Sequence, residues 1–430
     1  MCIQSRTCMY LVAVAMACAP VQAGPGTDGV TWLPGVEIAS GGGTKGPWRQ
    51  NESHYDYVDD GSAAFLPGGA LALAWVDQQR KDVFLKVLDP DGRPRGAPVD
   101  VSRSPATFSW LPRIASGGPD TLYVLWQEII FSGGSHGGDI LFAQSTDGGR
   151  TFSPPRNLSS SSGGDGKGRL DRATWSNGSL DLAAGLDGSV LAAWTEYDGM
   201  LWLARSRDGG RSFTPPQHIA GDGKRPARGP SLAIGRAGQV HLAWTVGEDL
   251  DADIRVSRSN DGGATFAPPS FVGAAGARAD APRIAVDRDG GLHLVYVEQA
   301  GKQPSVVRYT RTRGPGLRFG APHTLSPPGE HAEAAHLGID GHGRVHVVWE
   351  PAARTGLRHA FAGSAGFTRP AAIPHSRDAA DAHDGSQQGI LGRKLATGPD
   401  GMIAVVNSSL APGRGSRVWV MRGRVVQEGR

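Results

Sequence analysis

Apolar residues in this chain come in short bursts with β-branched and aromatic members, separated by glycine-rich polar turns. Seven eight-residue windows align without gaps: GGALALAW (68–75), PDTLYVLW (119–126), DGSVLAAW (187–194), AGQVHLAW (237–244), DGGLHLVY (289–296), HGRVHVVW (342–349) and DGMIAVVN (400–407). They recur about every fifty residues, the period of a propeller blade and not of a helical solenoid. A short apolar run precedes each window, as in PRIAVDR (282–288), and another follows it, as in IRVSRSN (254–260). A weaker fourth run carries a proline pair, as in FAPPSFVG (266–273). Runs this short, rich in valine, isoleucine and leucine and bounded by turn residues, predict strands.

The expected fold is therefore all-β: a seven-bladed β-propeller of four-stranded antiparallel blades, with six blades as the alternative count. The last repeat ends near Val418-Trp-Val-Met421 without an obvious fourth strand, while Thr31–Ala39 reads as a fourth strand lacking its first three. An N-terminal strand that completes the last blade would close the ring and remove an exposed sheet edge.

Composition sharpens this picture in three places. The 63 glycines and 30 prolines of the 430 residues fall between the strand-like runs, which favours a turn-rich fold over disorder. A net charge of +3, with no clustering of lysine and arginine, argues against a nucleic-acid partner. The start of the chain, with an apolar run from Met9 to Ala17 followed by Val21-Gln-Ala23, reads as a secretory signal over 1–23 with one propeller domain over 24–430. The expected location is extracytoplasmic, periplasmic or secreted; Ala15-Met-Ala-Cys18 is a weak form of a lipoprotein signal that would place a lipid anchor at Cys18. All three cysteines lie in this leader, so the domain has no thiol chemistry. No cofactor motif is present, and no second apolar stretch approaches membrane length.

One motif recurs between the third and fourth runs: QSTDGGRTF (144–152), RSRDGGRSF (205–213) and SRSNDGGATF (257–266). Its aspartate can accept hydrogen bonds from nearby amides, its glycines can take positive φ, and its ring can anchor the hairpin. SxDxGxTF is the Asp-box, and with the four-strand repeat around it the chain resembles the BNR, or sialidase-like, propeller family. Degenerate copies lie at 88–96, 312–319 and 362–367. In an antiparallel blade the first and third turns share a face, so these hairpins should lie on one rim and the variable loops on the other.

Thirteen residues before the end of each window stand Ser62, Arg113, Asp181, Ser231, Arg283, His336 and Lys394. This polar position, in register on the innermost strands, should ring the channel entrance. Its cationic excess would favour an anion such as a carboxylate; the competing reading is a girdle of inter-blade ion pairs. Loop residues add Arg49, His54 and Arg228 as ligand-binding candidates, and Trp48, Trp110 and Trp175 as rings that could stack on a sugar. Glu196-Tyr197-Asp198 could serve acid/base or nucleophilic work, with Asp181 as a further catalytic candidate. Asp249, Asp251 and Asp253 alternate like the start of a calcium loop but lack its later glycine and glutamate. His241, His293 and His346 share one register in successive blades and are expected to be core histidines.

The resemblance implies three arginines on a substrate carboxylate, a tyrosine nucleophile paired with a glutamate, and an aspartate acid/base. The family's F/Y-R-I-P signature is absent. Leu111-Pro-Arg-Ile114 and Ala281-Pro-Arg-Ile284 hold the letters in another order, so only a channel-facing role for Arg113 and Arg283 carries over. The leading reading is a secreted propeller binding a glycan or other anionic ligand at the channel mouth. A glycosidase or lyase acting on acidic sugars is the alternative, and a protein-interaction scaffold the third.

Overall fold

The computed structural model describes residues 29–130, 138–161, 164, 167–169, 175–177, 179–248, 251–312, 316–352, 355–363, 366–378 and 393–426. The leader with Cys18, and Asp249, lie outside them.

Seven antiparallel blades follow one another along the chain, six of them built from consecutive strands. Their innermost strands are Val58–Phe65, Ser109–Ser116, Leu180–Ala184, Ala227–Ile234, Ala277–Val286, Ala332–Ile339 and Leu395–Thr397, which define blades 1 to 7. No helix among the described residues is long and apolar enough to cross a membrane.

The windows form the second strands, and the aromatic residue ending six of them is buried: Trp126, Trp194, Tyr296 and Trp349 have no exposed surface. There is no single core. Apolar layers lie between neighbouring blades, as where Ala74, Val76 and Leu85 of blade 1 meet Ile114, Val124 and Trp126 of blade 2. Each sheet is thus covered on both faces by its neighbours, which is why these strands read as nearly continuous apolar runs instead of strict alternation.

The ring closes as its ends predict. Blade 7 supplies Leu395–Thr397, Met402–Ala411 and Gly415–Val425, and the last of these pairs with both Val30–Trp32 and Val36–Gly41 from the N-terminus. Ser408 Oγ donates to Asp59 Oδ1 at 2.6 Å across the join between blades 7 and 1.

The three DGG hairpins share one geometry. Ser145 Oγ donates to Asp147 at 2.8 Å and accepts from Gly149 N at 2.9 Å, while the Thr151 amide and hydroxyl donate to the two carboxylate oxygens at 3.0 and 2.6 Å. The hairpins at Asp208 and Asp261 repeat this pattern. The second glycine of each has φ between 81° and 88°. A side chain there would also strike the preceding blade: a Cβ on Gly210 would lie 2.7 Å from the Phe142 ring. Gly148 N and Gly209 N donate to Asp120 O and Gly188 O in the first turns of their own blades, so hairpins and tight turns lie on one rim.

Five inner strands share a distortion that the sequence pattern does not announce. Each has a register shift two residues before the polar position: at Asp60, Leu111, Gly229, Ala281 and Ala334, with φ of 55°, 59°, 58°, 53° and 48°. Four of these five residues carry side chains, for which left-handed backbone costs about 1–2 kcal/mol each. Such bulges re-aim the following side chain and concentrate beside functional sites.

Two outcomes are expected. Ala334→Gly should cost less than about 0.5 kcal/mol in denaturant unfolding, because relief of the backbone offsets the added chain entropy, whereas Ala63→Gly in ordinary strand should cost about 1 kcal/mol; equal costs would refute the strain. The hairpin aspartates set an acid limit. Burial raises Asp147, but the hydrogen bonds from Thr151, Ser145 and Arg150 together outweigh it and bring the carboxyl from 3.8 to about 2. A carboxyl lowered in the folded state contributes stability that is complete above about pH 4 and is lost as pH falls toward 2. Thermal melts of Asp147→Asn should therefore lose less stability than the wild type between those values.

Candidate functional site at the channel mouth

The bulged ends of the inner strands lie on the rim opposite the DGG hairpins, beside the second turns and the blade-to-blade links; Ala227, for example, pairs with Val246 and its amide donates to Gly199 O in the neighbouring blade. Here the register residues do two jobs.

Part of the set staples blades together. Ser62 Oγ accepts from Ile114 N at 3.4 Å, Asp181 Oδ2 from Leu232 N at 2.7 Å and Ser231 Oγ from Ile284 N at 3.2 Å, each reaching the next blade. Arg113, 2% exposed, donates through Nε to Leu180 O of blade 3 at 3.2 Å, and through Nη1 to Leu111 O and Pro112 O. Lys394 Nζ donates to Asn407 Oδ1 at 2.9 Å and lies 3.7 Å from Glu350. Asn407 is the one window-ending residue that is not aromatic, and its amide holds this lysine in place.

The same residues, with Arg283, His336 and the neighbouring Arg393, also form a crowded cationic ring. Arg113, Arg283, Arg393 and Lys394 all act on His336, and they face the carboxylates of Asp60 and Asp181. Burial, reinforced by the Arg283 charge, pushes Arg113 down to about 9. Burial likewise pushes Arg283 down to about 10, with Asp181 opposing it. His336, 3% exposed, is driven well below its ordinary value by burial and then by the four cations, so it is neutral at neutral pH. Its Nε2 is buried without a hydrogen-bond partner, as is Asp60 Oδ1. Burial raises the Asp60 carboxyl against the Leu111 amide and the Arg113 charge.

Solvent reaches this ring at two cations. Arg283 is half-buried, and the Arg393 side chain is 31% exposed while its Nη2 donates to Asp181 Oδ1 at 2.8 Å. Neither Arg393 nor Asp60 was singled out by register. Arg393 adjoins Lys394, and Asp60 is the bulge residue itself, so both stand one or two places off the aligned position.

Other candidates are placed elsewhere. Arg228 is buried with its Nη1 donating to both Asp280 oxygens at 2.7 Å, joined by Arg278 and Thr245; burial raises Asp280, but the charges and hydrogen bonds of Arg228 and Arg278 together outweigh it and bring Asp280 down to about 2. The structure thus uses Arg228 to tie blade 4 to blade 5. Asp251 is exposed, and Asp253 forms ion pairs with Arg225 at 3.7 Å and Arg255 at 3.3 Å. Among the described residues no group of three or more His, Cys, Asp or Glu side chains is placed to share a metal ion.

Glu196 and Tyr197 lie in the second turn of blade 3. Burial, then Asp198, raises the Glu196 carboxyl, and burial raises the Tyr197 hydroxyl, the direction opposite to what a nucleophile requires. His293 bridges Tyr309 and Asp287 at 2.7 and 3.0 Å, and His346 bridges His359 and Asp340 at 3.1 and 3.3 Å. With His241 they are buried, as the register argument expects. The carboxylates after the second strands cap local groups: Asp77 the amides of Gln79 and Arg80, Glu128 the Trp126 indole, Glu298 the Arg308 guanidinium.

Beside the ring the chain makes an excursion, from the hairpin strand Thr44–Lys45 to Tyr55–Asp56. Arg49 and His54 are exposed on it. Trp110 is only 6% exposed and packs with Tyr55, Tyr57 and Phe108, whereas Trp48 is 45% exposed on top of them. The Trp175 side chain lies outside the described part of the structure.

The sequence matches no protein-family model and no curated protein. Among solved structures, the chain is similar to the BP39L lectin from Burkholderia pseudomallei, with TM-score 0.56 and 14% identity over 86% of this chain and 97% of the lectin. It is similar to the polysaccharide lyase Uly1, at 0.52 and 11% over 86% and 90% of the two chains. A protein of unknown function from Dyadobacter fermentans follows at 0.51 and 13%, over 76% and 97%. Sialidases and arabinanases also occur among the similar structures, at TM-scores of 0.49 and lower. At these identities the likeness is one of fold, and it establishes the propeller architecture alone.

One consequence concerns the Arg228 fork. Asp280→Ala should cost about 3–5 kcal/mol in denaturant unfolding, because it leaves a buried guanidinium uncompensated, and Asp280→Leu with Arg228→Met should recover most of that loss. A cost under about 1 kcal/mol would place the pair among weak surface contacts.

Proposed function

We propose that this protein is a secreted, sialidase-like Asp-box propeller that binds the carboxylate of an acidic glycan at the channel mouth. The observation that carries the reading is the cationic excess among the described residues of the ring: Arg113, Arg283, Arg393 and Lys394 gather around the carboxylates of Asp60, Asp181 and Glu350, and the Arg283 and Arg393 charges lower Arg113. Burial and like-charge crowding disfavour the charged forms, so an entering anion relieves both at once. Arg283 and Arg393 are the members solvent reaches, and guanidinium forks match a carboxylate. The fold accommodates both a lectin and a polysaccharide lyase, as the names of two similar structures state. We favour binding over sialidase-type hydrolysis, because burial raises the hydroxyl of the candidate tyrosine, against what a nucleophile requires.

Calorimetry with N-acetylneuraminate and galacturonate, and with their methyl esters, tests this. One of the two acids should bind and its ester should not. Arg283→Ala should weaken binding at least about tenfold with little change in melting temperature, and Arg393→Ala should weaken it as much while also lowering the melting temperature, because it strips buried Asp181 of its ion pair. Equal affinity for acid and ester would sink the proposal.

A further inference from the structure

Trp48 is held in a way that packing alone does not require. Its ring lies nearly parallel to Tyr55, at 6.5 Å and 20°, and meets Trp110 edge-on at 6.4 Å and 68°. One face is thus covered, yet 45% of the residue is exposed, so the other face is turned to solvent. The loop that presents it is anchored across two blades: Asn51 Nδ2 donates to Ile129 O at 2.9 Å, Asn51 Oδ1 accepts from Phe108 N at 3.0 Å, and Lys81 Nζ donates to Asn51 O at 2.6 Å. Arg49 N donates to Ser53 Oγ at 2.6 Å, which tightens the turn itself. A large apolar ring fixed with a bare face, on a loop outside the blade repeat, is a preorganised contact surface.

The platform is continuous with the cationic ring. Tyr55 packs against Tyr57 at 5.5 Å and 53°, Lys45 Nζ lies 5.8 Å from the centre of the Tyr57 ring, and Trp110 stands three residues before Arg113 on the inner strand Ser109–Ser116, where Leu111 N donates to Asp60 Oδ2 at 3.2 Å. Lys45, Arg49 and His54 are exposed on the same excursion. An occupant must therefore offer a flat apolar face to the indole and, a short distance away, a negative charge to the guanidinium groups. Sugar rings have such a face on their C–H side.

We propose that Trp48 is a second subsite, stacking a sugar ring further along the glycan whose acidic residue occupies the channel mouth, so that the protein reads an acidic oligosaccharide and not a free sugar acid. This rests on the carboxylate reading above. It assigns Trp48 to specificity for chain length, with Arg283 and Arg393 serving the charge common to both ligands.

The test compares 3′-sialyllactose with N-acetylneuraminate, and trigalacturonate with galacturonate, by calorimetry on the full chain. For the acid that binds, the wild type should prefer the oligosaccharide. Trp48→Ala should weaken the oligosaccharide about tenfold and leave the monosaccharide unchanged, and Trp48→Phe should retain most of the preference. Arg283→Ala should weaken both ligands alike. Thermal melts of the two Trp48 variants guard against misfolding, since Trp48→Phe keeps the stack on Tyr55. The subsite is overturned if Trp48→Ala weakens both ligands equally or neither, or if it changes the oligomeric state by light scattering, which would make the patch a self-association surface. If neither acid binds the wild type in either form, the carboxylate reading falls and this inference falls with it.

Discussion

Closure of the ring is the constraint on which everything else depends. Each sheet is apolar on both faces, so each needs a neighbour on either side, and an open row of blades would leave two such faces in water. The N-terminal strands remove that problem by pairing with the last long strand of blade 7, at Val30–Val425 and Val36–Val420. The same join creates the channel mouth. Arg393 reaches Asp181 across 212 residues of sequence, and Lys394 of blade 7 acts on Asp60 of blade 1. Neither contact exists in an unclosed chain.

Closure also forces like charges together. Inner strands converge toward the axis, so long side chains from different blades share a small space, and burial there works against charged groups. The molecule answers with unequal solutions. Arg113 is spread over backbone carbonyls, Lys394 is held by Asn407 and Glu350, and His336 is neutral. Arg283 and Arg393 keep access to solvent. Repeated left-handed bulges just upstream aim these residues inward, at a conformational cost met by the packing of the blades around them.

The two rims therefore divide the labour. On one, the DGG hairpins satisfy their own carboxylates and amides, pack glycine and phenylalanine onto the preceding blade, and present little unmet chemistry; Phe213 meets Phe142 at 4.9 Å. On the other, charge, strain and an exposed indole collect. A shared fold with a lectin and a polysaccharide lyase cannot select among activities, because propellers differ in what their rim side chains offer and not in their blades.

The blade count, the strand order, the closing N-terminal strand and the hairpin geometry were all legible in the sequence. They depend on local periodicity and on turn residues whose φ preferences act within a few positions. The register Ser62, Arg113, Asp181, Ser231, Arg283, His336 and Lys394 was legible too, as a ring. Which of its members bind backbone, which pair and which meet solvent was decided only when the blades closed. Arg228 found Asp280 from the next blade, Arg393 found Asp181 from across the channel, and Trp110 was covered while Trp48 was left bare. The physical reason is that a repeat pattern specifies the strand a side chain stands on. Its partners come from other strands, brought near by a bulge of one or two residues and by closure over the whole length of the chain.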